Sequence, residues 1–101
     1  VTLKEAIALR PDDPDIYMAA AEVYKDLKQY PQAENFLQEA IRLKPDFPEA
    51  HFNLAGLYAA QGKKLNAQDH INKALLAYQS SGRFVESYEA WTAFYKYFKL
   101  N

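Results

Sequence analysis

The sequence predicts an all-α fold of stacked antiparallel helix pairs, an α-α solenoid closed by a C-terminal capping helix. Three observations carry that expectation. The phrase "AIALRPDDPDIY" from Ala6 returns 34 residues on as "AIRLKPDFPEAH" from Ala40. Only three glycines and five prolines interrupt 101 residues, which leaves long windows suited to helices rather than to a many-turned β protein. Between the two phrases, apolar residues recur three and four apart, the spacing of one helix face.

The opening stretch from Leu3 to Pro11 reads as the second helix of a pair whose first helix is not in the sequence. The chain begins with Val rather than Met, and it is expected to be a piece of a longer protein. Pro11 then stops that helix, and Arg10 suits its C-terminus. Pro14 opens the next helix, where its missing N–H costs nothing. Asp13 is placed to cap it, and Asp15 puts negative charge in its first turn. Tyr17, Ala20, Ala21 and Tyr24 form the apolar face of this helix. Ala33, Leu37, Ala40, Ile41 and Leu43 form that of its partner after the break at Tyr30–Pro31. Pro45 and Pro48 repeat the connector, with Glu49 in the place of Asp15; Phe47 is not a capping residue. The second pair carries Leu54, Ala55 and Tyr58, then Ala67, Ile71, Ala74 and Leu75. Gly62 lies between its helices, where a left-handed C-cap belongs. Lys28 holds the same place in the first pair, at a cost of about 1 kcal/mol relative to glycine if it adopts that conformation.

Small residues are expected where paired helices cross: Ala21 and Ala55 against Ala33, Ala40, Ala67 and Ala74. A larger side chain there would cost about 1–3 kcal/mol. A single pair cannot bury its own apolar face, so stability comes from stacking neighbours.

A 34-residue helix–turn–helix unit with aromatic, small, Tyr, Ala, large apolar and Pro positions in this order resembles the tetratricopeptide repeat. Tyr17, Ala20, Ala21, Tyr24, Ala33, Leu37 and Pro45 carry the pattern first. His51, Leu54, Ala55, Tyr58, Ala67 and Ile71 carry it again, with Gln79 where the terminal proline would stand. The resemblance covers roughly residues 1–79. It implies a right-handed superhelix in one domain: the truncated repeat over 1–10, repeats over 14–45 and 48–79, and a cap over 83–99.

From Gly82 the phase breaks. Phe84, Tyr88, Trp91, Tyr95 and Phe98 alternate four and three apart, and this aromatic stripe is expected to face the solenoid core. A third repeat in phase would bury Glu89 at a crossing site. "GRFVES" imitates the turn inside a repeat, but Phe94 would then replace a crossing alanine. Glu86, Glu89, Lys96 and Lys99 make the outer side polar. Phe94, Tyr97 and Leu100 lie to the side or back of the stripe; the simpler reading is half-buried terminal residues, and the functional one is an exposed patch for a partner, for self-association or for the rest of a parent protein.

The sequence contains little chemistry. Twelve basic and thirteen acidic residues leave a net charge of −1, which gives no electrostatic reason for nucleic acid or an anionic membrane as partner. No apolar run is long enough to cross a bilayer. There is no cysteine, no GxSxG, no P-loop and no Gly-rich dinucleotide turn. His51 sits at an aromatic packing position, and His70 has no second histidine one turn away, so no metal pair is expected. Asp12, Asp13 and Asp15 fail the EF-hand pattern, which needs glycine at Tyr17 and glutamate at Val23. No enzymatic activity, cofactor or metal is expected.

The resemblance implies a concave face, lined by the first helix of each pair, that binds a peptide or a partner's helix. Asp15, Met18, Ala19, Glu22, Lys25 and Asp26 line it on the first pair. Glu49, Phe52, Asn53, Gly56, Ala59 and Ala60 line it on the second. Some members clamp the C-terminal carboxylate of chaperones. Asn53 matches one clamp asparagine, but Ala19 replaces its partner and the clamp cations are missing. The carboxylates favour a basic or amphipathic protein segment instead. The alternative is self-assembly, with the aromatic C-terminal helix docking on another copy and covering its open N-terminal half-repeat, where Leu3, Ile7 and Leu9 lack a partner.

Overall fold

The computed structural model describes the backbone of residues 2–100 and the side chains of residues 2–96. Among these the chain is 81% helical and has no strand. The helices are α1 (Leu3–Leu9), α2 (Pro14–Asp26), α3 (Tyr30–Leu43), α4 (Pro48–Ala60), α5 (Lys64–Ser80) and α6 (Phe84–Leu100). α2 pairs with α3 and α4 with α5; α4 stacks on α3, and α6 packs along α5. The result is an α-α solenoid, 41 × 31 × 19 Å.

The connectors form as their residues dictate. The Thr2 hydroxyl accepts from the Glu5 amide at 3.1 Å, and the Asp13 carboxylate accepts from the Asp15 amide at 3.0 Å. α4 starts without a side-chain cap, and the buried Phe47 anchors it instead, beneath the Lys44 ammonium at 4.7 Å. Each connector is also tied across. The Tyr17 hydroxyl donates to the Pro11 carbonyl at 3.0 Å, and His51 Nε2, 34 residues later, donates to the Pro45 carbonyl at 3.1 Å.

The turns inside the pairs repeat as closely. Lys28 has φ 60° and Gly62 φ 75°. In each, the amide one residue on bonds back to the tyrosine carbonyl: Gln29 to Tyr24 and Lys63 to Tyr58, both at 2.9 Å. This is the 6→1 bond that closes a helix with a left-handed residue.

Ala20, Ala21, Ala33, Ala40, Ala50, Ala55, Ala67 and Ala74 are buried at the crossings, and Leu37, Leu54 and Leu57 fill the space around them. α4 sits in the middle of the stack and is apolar on nearly every side. Gln29, Phe47 and Lys63 precede α3, α4 and α5 without side-chain caps, so packing rather than capping fixes these starts.

The C-terminal helix differs from the sequence expectation. Phe84, Tyr88, Trp91 and Tyr95 are 65, 69, 48 and 50% exposed, while Ser87, Ala90 and Phe94 are buried against the rest of the fold. The turn explains the inversion. Gly82 has φ 76°, and the Arg83 amide reaches the Tyr78 carbonyl at 2.8 Å, so α5 and α6 meet through another intra-repeat turn. Such a turn brings the helices close, and the face carrying Ser87 and Ala90 fits where an aromatic stripe does not. Phe94, placed off the core stripe by the sequence, turns its ring edge-on to Phe52 at 6.2 Å. The side chains of Tyr97, Phe98 and Leu100 lie outside the described residues.

Candidate functional site

The row expected to bind a partner is carried by α2 and α4. Asp15, Ala19, Glu22, Lys25 and Asp26 are exposed on α2, and Met18 is half-buried. On α4, Phe52, Asn53 and Gly56 are half-buried and Ala60 is exposed. The two helices are linked across this row. Asn53 Nδ2 donates to the Glu22 carboxylate at 3.4 Å. Lys25 Nζ lies 3.9 Å from where a Cβ on Gly56 would sit, so the lysine spans the shallow point of α4.

Two positions stand apart from that row. Ala59 is buried within the core rather than presented to solvent. Glu49 is engaged by Arg83, whose Nη1 donates to its carboxylate at 2.5 Å. The Glu49 charge is therefore paired with the residue that immediately precedes α6.

α6 adds residues that the sequence reading did not place here. Phe52, Tyr78, Glu86, Glu89 and Ala90 line an open pocket of about 200 Å³. Glu86 and Glu89 thus extend the acidic character of α2 around an aromatic centre. The missed signal was the 20-residue echo of Tyr58 and Gly62 in Tyr78 and Gly82, which sets the direction of α6.

The two histidines form a second constellation, on the pair interface. His51 and His70 stack at 5.6 Å, and His70 stacks on Tyr58 at 5.5 Å. Their Nδ1 atoms are 3.4 Å apart. His51 Nε2 donates to a carbonyl, so one hydrogen between the two facing Nδ1 atoms links the rings. Burial, then the nearby Lys73 and His51, hold the His70 pKa below the ordinary histidine value. The Tyr58 hydroxyl donates to Glu34 at 2.8 Å. Burial and that bond push its pKa up to about 12. The first pair has the same arrangement in aromatic form, with Phe36 against Tyr24 at 5.4 Å and Tyr17 at 6.3 Å. The histidines thus stand in an aromatic packing box. Among the described residues no group of three His, Cys, Asp or Glu is placed to hold a metal. No helix among them is long and apolar enough to cross a membrane.

Comparison with known proteins agrees with this architecture. Among solved structures, a MamA crystal structure superposes with a TM-score of 0.68 at 19% identity, covering 96% of this chain and 65% of that one. Another MamA structure gives 0.68 at 20% identity, covering 89% and 57%. A structure described as MamA MSR-1 C2 gives 0.59 at 17%, covering 96% and 64%. The chain thus spans less than two thirds of each of these proteins, and at such identities the likeness is one of fold. None of the curated proteins matches significantly. The family described as TPR repeat matches residues 21–62, and that described as tetratricopeptide repeat matches residues 48–84. Such repeats are in general non-catalytic modules of protein–protein interaction. Through these two overlapping matches, the chain belongs to the tetratricopeptide repeat family.

Proposed function

We propose that the chain holds a basic or amphipathic segment of a partner protein along the row formed by α2 and α4. The supporting observation is the row itself: exposed carboxylates of Asp15, Glu22 and Asp26 beside the half-buried apolar surfaces of Met18 and Phe52. Apolar anchors supply affinity, and the carboxylates select cationic neighbours and steer their approach. Lys25 is the cation that such a ligand must avoid or displace from above Gly56. Anisotropy of a fluorescent model peptide with lysine and leucine on opposite helix faces tests the reading. Glu22→Lys combined with Asp26→Lys weakens binding at least about tenfold; unchanged affinity removes this row as the site. Nucleic acid and membrane insertion form no part of this reading.

A second reading, self-assembly, is favoured by the exposed aromatic side of α6 and by α1. α1 buries none of its residues, and its Leu9 is 77% exposed. In this reading one copy supplies an end that the next copy covers.

A further inference from the structure

We propose that the partner segment anchors itself by one arginine side chain, inserted into the pocket between α4 and α6 with its guanidinium against the Phe52 ring and between the Glu86 and Glu89 carboxylates. This rests on the peptide-binding reading above and adds to it one required residue of the ligand.

Phe52 belongs both to the row and to the pocket, so a segment lying along α2 and α4 reaches the pocket at this ring. Phe52 is half-buried, Tyr78 and Ala90 are buried, and Glu86 and Glu89 are exposed. The pocket therefore has an apolar floor and an acidic rim. Phe94 meets Phe52 edge-on, a contact that holds the ring in place. Glu86 and Glu89 stand three residues apart and are neighbours on the surface of α6. Glu49 is already paired with Arg83, whose Nε lies 4.0 Å from the Glu86 carboxylate. Glu89 has no ion pair among the described residues. Glu49, Glu86 and Glu89 thus have one cation among them, and the surplus negative charge lies on the rim.

The chain itself shows which cation suits this chemistry. Arg83 holds its guanidinium 4.9 Å from the centre of the Tyr78 ring while reaching Glu49 and Glu86. The same combination, an aromatic ring with two carboxylates, recurs at Phe52, Glu86 and Glu89, and among the described residues no lysine or arginine lines that pocket. A planar guanidinium stacks on a ring and forks to two acceptors, whereas an ammonium acts as a point charge. Size agrees. At about 200 Å³ the pocket falls below the range of about 300–1,000 Å³ usual for small-molecule sites, and a single long side chain suits it better. A calcium ion takes about 6–8 oxygen ligands; here the floor is aromatic and methyl surface.

Anisotropy of the lysine–leucine model peptide tests the proposal, with each lysine replaced in turn by arginine or by citrulline, its neutral isostere. One position is expected to prefer arginine to lysine by at least about threefold and to citrulline by at least about tenfold. Glu86→Gln combined with Glu89→Gln weakens the arginine peptide about tenfold, leaves the citrulline peptide unchanged and retains helical circular dichroism. Phe52→Leu keeps an apolar floor and abolishes the preference for arginine over lysine. The proposal is overturned if no position prefers arginine to lysine, if the preference survives Phe52→Leu, or if the glutamine pair weakens arginine and citrulline peptides alike. The row and the pocket fail separately. Sensitivity to Glu22→Lys with Asp26→Lys, together with indifference to the glutamine pair, keeps the row and overturns the pocket. The reverse pattern keeps the pocket and removes the row, and a chain that binds none of these peptides loses both.

Discussion

Lys28 is a non-glycine residue held in the left-handed region, where Gly62 and Gly82 serve the equivalent turns. A β-carbon there costs energy that glycine avoids, and the site is exposed, so Lys28→Gly raises stability by about 0.5–1 kcal/mol. Urea unfolding followed by circular dichroism reads the shift in midpoint. Gly56 poses the opposite case: it lies inside α4 at ordinary helical φ, and an added Cβ meets only the tip of Lys25 at 3.9 Å. Gly56→Ala is expected to stabilise by about 1 kcal/mol, while loss of affinity for the model peptide in that variant marks close backbone approach by the ligand. The histidine box adds a pH dependence. His70 titrates below its ordinary value of 6.5, so the unfolded chain takes up that proton first as pH falls. Stability is therefore full above about pH 7 and declines as pH falls through 6.5 toward the lowered value. Lys73, His51, Asp69 and Glu34 set the local field. His70→Phe, which copies Phe36 of the first pair, is expected to remove this histidine's share of the slope; urea midpoints at pH 8 and 5, taken as about the two sides of the histidine range, show it.

At the scale of elements, α5 is the unusual member, because it is read twice. Its Ala67, Ile71 and Ala74 pack as the second helix of a pair. Its Ile71, Ala74, Leu75 and Tyr78 then repeat, 20 residues on, the spacing of His51, Leu54, Ala55 and Tyr58 in α4. That second reading produces the turn at Gly82 and directs α6 back beside Phe52. The connectors, crossing alanines and turn glycine were legible in the sequence, because each depends on local backbone chemistry repeated in phase. The orientation of α6 was not, because hydrophobicity alone favours its broad aromatic stripe, and only the distance imposed by a tight turn favours Ser87 and Ala90. The row on α2 and α4 was legible as a helix face, whereas the engagement of Glu49 by Arg83 and the closeness of Glu86 and Glu89 follow from α6 and were not. The inverted face has a direct check. Phe94→Ala, which empties a buried position against Phe52, costs about 3 kcal/mol. Tyr88→Ala, on the exposed stripe, changes stability by less than about 0.5 kcal/mol in the monomer.

For the whole molecule, a stack of helix pairs distributes stability by neighbours rather than by a single centre. α4 has α3 on one side and α5 on the other, and Ala50, Leu54, Ala55 and Leu57 in it are 0–1% exposed. α1 packs mainly on α2 and has no fully buried residue, and its seven residues cannot form a stable helix alone. The carboxylates that carry the proposed peptide site lie mainly on α2, between these extremes. Amide hydrogen exchange is thus expected to show a gradient along the chain. α4 amides exchange only with global unfolding, α2 amides through an intermediate opening, and α1 amides by fraying at close to zero cost. Binding of the model peptide along α2 and α4 should slow α2 most, since ordering there is linked to the bound state by mass action. Uniform protection from α1 to α5 would show one cooperative unit instead, and a ligand effect confined to α6 would move the binding surface to the aromatic face.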